Sequence, residues 1–345
     1  MRSGALSCPI RFITSPEWVN LFAGFLEGWG AALAGLRVLG VAGGDAPLAA
    51  TLMPLASGLG YVAAVLLVKR ASVHGVGLWR TAFVSNLAMG LGFAPLWWLG
   101  GAEVQVANLW QPALCAALFF TGQVLTFAAL AGEVSLATPV LGLKIIFVAA
   151  ASAALLAEPV RAAWWIAAAL ATAAVALLQA TPRGAAGGGA AHGGQAAGRT
   201  IVLATLAALA FAVCDVLVQR FTAGWGAGRF LPITFGLVAV FSFGLIPVFH
   251  APLRTIPAAA WVWLAPGSLL LAMQAASMAY TLGTHGRATA ANILYSTRGL
   301  WSVLAIGLLG AWLGTAGERK LPKAVFRLRL AGSVLMLAAV ALVLE

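Results

Sequence analysis

Charge is scarce in this chain of 345 residues. Only 8% of its positions are Asp, Glu, Lys or Arg, against about 25% in soluble domains. With 62% hydrophobic residues and a mean hydropathy of +0.99, a water-soluble fold is excluded and a polytopic integral membrane protein is expected. Cysteine is sparse as well. Cys8, Cys115 and Cys214 are scattered with no CxxC spacing, which excludes a disulfide framework and a cysteine metal site. The four histidines, His74, His192, His250 and His285, form no ligand pair at helical spacing and read as loop or span-end residues. HExxH, GxSxG and Walker-type GxxxxGK[ST] sequences are missing, so no enzymatic activity, metal, cofactor or ATP-driven step is expected.

What is present is arranged as membrane spans. A span needs about 20 mainly apolar residues, and ten are predicted: 52–68, 77–99, 112–131, 136–157, 163–180, 201–219, 230–249, 261–282, 288–313 and 325–344. Tryptophans gather at their ends (Trp97, Trp98, Trp110, Trp225 and Trp261 among them) as an interfacial belt would require. The net charge of +11 would suggest nucleic acid in a soluble chain. Here the cations sit mostly in short connections, where they set topology and touch lipid headgroups, and no nucleic-acid partner is expected. Arg outnumbers Lys, and Ala and Gly abound, which points to a GC-rich bacterial genome and a bacterial inner membrane.

Residues 1–52 fit this scheme poorly. Trp18 to Gly43 is moderately apolar but carries Glu27, Arg37 and many glycines, and it lacks the regions of a signal peptide. An amphipathic surface segment is one reading; translation from Met53, just before the first span, is the other. The one long connection, 181–199, is Gly/Ala-rich without apolar periodicity and is expected to be a flexible linker. It separates five spans (53–180) from five (200–345).

The two sets are related in sequence. Shifted by about 150 positions, LVKRASVHGVG (Leu67 to Gly77) lies over LVQRFTAGWGA (Leu217 to Ala227), matching Arg70 to Arg220. At about 152, GFAPLW lies over GLIPVF, matching Pro95 to Pro247. At about 154, ATPVLGLKIIFV lies over ANILYSTRGLWS, with Lys144 on Arg298. Near-constant offsets over three spans point to an internal repeat. Five spans is an odd number, so the second copy enters the membrane in the opposite sense, as in many secondary transporters. The expected fold is therefore all-α, ten spans in two inverted five-helix repeats.

At this point the chain resembles the drug/metabolite transporter superfamily, in its EamA-like branch of ten-span carriers. The resemblance covers about 53–344 and rests on the 5+5 organisation and on the span-four pattern running from Ala137, with Glu158 closing the span. In the second half Glu318 comes later, in a looser and more charged loop. In many relatives a proline lies about thirteen residues before that Glu; here the nearby position is Lys144, and Pro139 lies a turn earlier. The resemblance implies transport of a small metabolite without ATP, commonly as export or exchange.

Lys144 and Arg298 are the charges that need a reason. A Lys at the centre of a span costs about 2.5–3.5 kcal/mol on the insertion scale. Lys144 lies about 10 Å deep at 1.5 Å per residue, where a long side chain can still snorkel to the headgroups. The functional reading is a pair of cations facing each other across the midplane, receiving an anionic group of the substrate. Tyr295, Arg298 and Trp301, spaced i, i+3, i+6, are expected to share a helix face. Asp215, the only acid inside a predicted span, either offsets one of these cations or carries a coupling proton. Gln123, Gln274, Asn292 and Asn86 add amides for substrate contact or for interhelical hydrogen bonds. Glu133, Glu158 and Glu318 read as span-end charges, and Arg70 and Arg220 as headgroup anchors.

The expected function is secondary transport, by export or exchange, of a small organic metabolite, with membrane lipids as the other partner; a homodimer stays open. Carriage of sugar-phosphate or nucleotide-like anions is the alternative within transport. A lipid flippase or intramembrane enzyme is the alternative from another class. The family arrangement puts both termini in the cytoplasm, leaving seven Lys and Arg inside and eleven outside the membrane core, against the positive-inside rule. Five of the eleven lie in the last connection, where charges weigh less, so the family arrangement is preferred.

Overall fold

The structure, a computed structural model, describes residues 46–130, 134–156, 160–178, 193–309 and 323–344. Most of the N-terminal extension, the start of the linker, and Glu133, Glu158 and Glu318 lie outside the described residues. Among the described residues all regular structure is helical. The helices are α1 (Ala46–Ser72), α2 (Leu78–Phe93), α3 (Trp110–Leu130), α4 (Val134–Leu141), α5 (Lys144–Leu155), α6 (Ala162–Leu178), α7 (Gly193–Trp225), α8 (Ala227–Phe241), α9 (Ala258–His285), α10 (Ala288–Tyr295), α11 (Arg298–Leu309) and α12 (Lys323–Leu344). Among the described residues seven helical stretches are long and apolar enough to cross a membrane: Leu48–Ser72, Leu78–Leu99, Val106–Leu130, Ala197–Trp225, Ala227–Val248, Ala258–His285 and Arg327–Leu344.

Several boundaries differ from the sequence reading, each for a local reason. The predicted linker 181–199 is helical from Gly193 onward, because Gln195, Ala196 and Ala197 are good helix formers beside an established helix. The second and seventh predicted spans tighten into 3-10 turns at Ala94–Leu99 and Ser242–Val248. Each turn holds one of the matched prolines, Pro95 and Pro247, which lack the N–H an α-helix would use. Trp225 leaves the interfacial belt: it is buried and its indole N–H donates to Gln111 Oε1 at 2.8 Å. Trp98 stays in it, 81% exposed.

The fourth and ninth predicted spans are not continuous helices. α4 stops at Leu141 and α5 begins at Lys144; α10 stops at Tyr295 and α11 begins at Arg298. At the first break Gly142 N–H donates to Pro139 O, Leu143 N–H to Val140 O and Ile145 N–H to Gly142 O. At the second, Ser296 N–H donates to Ile293 O, Thr297 N–H to Leu294 O and Gly299 N–H to Ser296 O. The three bonds correspond one to one between the breaks, all of i→i−3 type, and each break is a local tightening rather than an uncoiling. At the second, Ser296 and Thr297 hydroxyls donate back to the Ile293 and Leu294 carbonyls, a competition with backbone pairing that these residues favour.

Packing joins the two sets of helices across one another. α1 packs on α9, and α7, which holds the same place in its own set, packs on α3. α4 and α5 lie on α7 as α10 and α11 lie on α1; α2 meets α8 and α6 meets α12. Two arginines show the direction of the α2–α8 pair. Arg80, at the start of α2, donates to Pro252 O at 3.3 Å and Thr255 Oγ1 at 3.1 Å, beyond the end of α8. Arg229, at the start of α8, donates to Trp97 O at 3.1 Å, at the end of α2. The two helices therefore run antiparallel. Gly77 (φ 79°, ψ 150°) and Gly226 (φ 76°, ψ 144°) open them with the same left-handed kink, a conformation that glycine adopts without Cβ strain.

The two sets also come close at Gly228, where an added Cβ would fall onto Gly100 O and stand 2.6 Å from Leu96 O. Both obstacles are backbone, so neither can swing aside. Gly228→Ala is expected to part α8 from the end of α2 and break the Arg229–Trp97 bond. Overpacking costs about 1–3 kcal/mol where side chains can adjust, and more is expected here. A thermal melt of the purified variant in detergent checks it, and an unchanged melting temperature would contradict the packing described.

Candidate substrate site at the two helix breaks

Each break delivers one cation. Lys144 and Arg298 are the first residues of α5 and α11, so both stand where backbone hydrogen bonding changes register. Both lie over an aromatic ring from the first helix of the opposite set. Lys144 Nζ is 5.8 Å from the Phe211 ring of α7, and Arg298 Cζ is 4.6 Å from the Tyr61 ring of α1. Phe211 and Tyr61 are themselves about one repeat apart in sequence. The sequence equivalence of Lys144 and Arg298 thus has a counterpart in their surroundings.

From there the two stations diverge. Lys144 Nζ lies 2.8 Å from Asp215 Oδ2, with the side chains 20% and 15% exposed. The same carboxylate oxygen accepts a hydrogen bond from Asn292 Nδ2 at 2.8 Å, while Asn292 also donates to Ala288 O. Asp215 thus joins α7, α5 and α10. Asp215 does offset a cation, as one of the two sequence readings had it, and that cation is Lys144.

Arg298 has no carboxylate within salt-bridge distance among the described residues. Its guanidinium lies over two rings instead, Tyr61 at 4.6 Å and Tyr295 at 4.5 Å, which meet edge to face at 6.1 Å. Tyr295 is buried, and its hydroxyl donates to Gln274 Oε1 at 3.0 Å. Gln274 Oε1 also accepts from Ser57 Oγ at 3.2 Å, and Ser57 Oγ donates to Gln274 O at 2.7 Å. Aromatic rings attract a cation through their quadrupole without cancelling its charge. The Arg298 charge is therefore held in place with no carboxylate in contact with it among the described residues. Gly58 allows this closeness: a Cβ there would meet Tyr295 O at 3.1 Å and Arg298 Cβ at 3.6 Å.

Of the residues singled out from sequence, Lys144, Asp215, Asn292, Tyr295, Arg298 and Gln274 belong to this assembly, and Gln123, Asn86 and Trp301 do not. Gln123 Oε1 accepts from Asn86 Nδ2 at 2.8 Å, tying α3 to α2. The Trp301 indole N–H is buried without a hydrogen-bond partner among the described residues. Tyr295, Arg298 and Trp301 do not share one continuous helix, since the break falls between the first two; the Tyr295–Arg298 contact survives because the turn is tight. Sequence reasoning missed Tyr61 and Ser57. Tyrosine is rare here, three in the chain, and two of the three lie on Arg298. Arg220, read as a headgroup anchor, donates to Leu155 O at 3.0 Å and caps the end of α5.

No family model and no curated protein matches this sequence. Among solved structures, a crystal structure described only as that of a protein is similar, with a TM-score of 0.63 at 18% identity. The match covers 85% of this chain and 97% of the other, and at that identity the likeness shows the fold alone.

Proposed function

We propose that the chain is a secondary transporter that moves a small organic metabolite bearing an anionic group across a bacterial inner membrane by alternating access. On this reading it has ten spans in two inverted five-helix repeats, as in the drug/metabolite transporters it resembles. The recurring order of elements, the exchange of packing partners between the sets and the antiparallel run of α2 and α8 support the inversion. An axis along the membrane normal would leave equivalent helices parallel. Paired discontinuous helices that meet at depth are the usual place for a substrate site in such carriers.

The observation that carries the reading is Arg298. A guanidinium kept at the break of a membrane helix, stacked on two tyrosines and with no carboxylate in contact among the described residues, is expensive unless something anionic comes to it. Exchange fits a site that needs a ligand to balance it, since a second anion can replace the first. The test is uptake and efflux by the purified protein in proteoliposomes over a panel of anionic, neutral and cationic metabolites. Counterflow of an anionic compound is expected, blocked when that compound is in excess. Movement of neutral or cationic compounds alone would overturn the reading.

A further inference from the structure

The three charged side chains at the breaks do not balance. Lys144 and Arg298 bring two positive charges and Asp215 one negative, and among the described residues no other acidic residue lies in a helix. Asp215 sits on Lys144 at 2.8 Å and is steadied there by Asn292, so this pair is neutral by itself. The remaining charge is one, and it is on Arg298 between its tyrosines. In a low-dielectric interior, a ligand that cancels this charge is favoured and one that overshoots it is penalised.

We propose that the site takes a single negative charge, with Arg298 as its receptor and the Lys144–Asp215 pair as a built-in neutral neighbour, so that the substrate class is a small organic monocarboxylate. The planar fork of a guanidinium matches a carboxylate in two parallel hydrogen bonds. A doubly charged phosphate monoester or dicarboxylate would leave one charge unbalanced among Lys144, Asp215 and Arg298. This inference rests on the transport reading above and narrows its cargo. It also separates the roles of the two repeat-related cations, only one of which meets the substrate.

Charge arithmetic makes the proposal testable through Lys144 and Asp215. With Lys144→Met, Asp215 is left to neutralise Arg298, and monocarboxylate transport is expected to fall about ten-fold or more. With Asp215→Asn, two cations remain, and the ratio of dianion to monoanion rates is expected to rise about ten-fold. Combining the two restores a single positive charge, and the double variant is expected to recover about ten-fold over Lys144→Met. Lys144→Gln with Asp215→Asn, which keeps polar groups beside Asn292, serves as a second double variant should the first fail to fold.

The probes are lactate, benzoate and pyruvate on one side, and succinate and glycerol phosphate on the other, in proteoliposomes with melting curves as the folding control. Wild type is expected to carry a monocarboxylate and neither dianion. Equal carriage of the dianions would overturn the charge rule while leaving transport intact. A folded double variant as inactive as Lys144→Met would also overturn it, and would place Lys144 on the substrate. If wild type moved none of the probes and no other anion, the transport reading itself would fall, and this inference with it.

Discussion

Arg298→Met is expected to abolish substrate movement while leaving the helices assembled. The loss on the folded side is small. Two cation–ring contacts disappear, at about 0.5–2 kcal/mol each, and an uncompensated charge leaves the interior, which works in the opposite direction. Tyr295 stays tied to Gln274, which Ser57, on the same helix as Tyr61, also bonds, and methionine fills the gap between the two tyrosine rings. The loss on the bound side is large. Removing one member of a buried hydrogen-bonded charge pair costs about 2–5 kcal/mol, a factor of about 30 to several thousand. Arg298→Lys keeps the charge but not the planar fork and is expected to recover only part of the rate. Tyr295→Phe keeps the ring face and loses the bond to Gln274, so it should act through substrate affinity more than through stability. Initial rates of counterflow, with a melting curve for each variant, check the series. A folded Arg298→Met protein that transports at the wild-type rate would remove Arg298 from the site.

How far the sequence carried can be judged from particular residues. The helical, membrane-embedded character was legible because composition alone decides it. The relation of Lys144 to Arg298 was legible too, since a constant offset needs no knowledge of packing, and it runs through the hydrogen bonds of both breaks. The breaks themselves were not. Apolar periodicity signals a helix through the contrast between a wet face and a dry one, and a span surrounded by lipid and protein offers little contrast. Gly142 and the Ser296–Thr297 pair were the available signals, and neither type is rare inside membrane helices. Tyr61 was missed for another reason: its partner is 237 positions away, on a helix of the other set. Only the offset of about 150, which places Tyr61 over Phe211, could have drawn attention to it. The pairing of Gln123 with Asn86 instead of with the cations follows from the packing of both α3 and α2 on α8, which no pattern in the sequence announces.

Lys144→Met is expected to destabilise the protein, and Asp215→Asn together with it to restore most of the stability. By insertion cost alone the opposite follows, since removing a central charge makes a span more apolar by about 2.5–3.5 kcal/mol. The structure reverses the sign because Lys144 points to Asp215, not to the headgroups. Taking away one partner of a buried ion pair strands the other, at about 3–5 kcal/mol when exposure is nil. The side chains are 20% and 15% exposed, which lowers the expectation toward about 2 kcal/mol. Asn292 keeps its hydrogen bond to Asp215 but cannot cancel the charge. Replacing both members with groups of similar size is often neutral, so the double variant should melt near wild type, and the cycle should yield a coupling of about 1–3 kcal/mol. Tryptophan fluorescence melts of the four proteins in one detergent provide the measurement. A snorkelling Lys144 would instead give a variant as stable as wild type or more so, with no coupling to Asp215. That outcome would make the charge incidental, whereas a clear coupling ties the first helix break to the second set of helices through a single carboxylate.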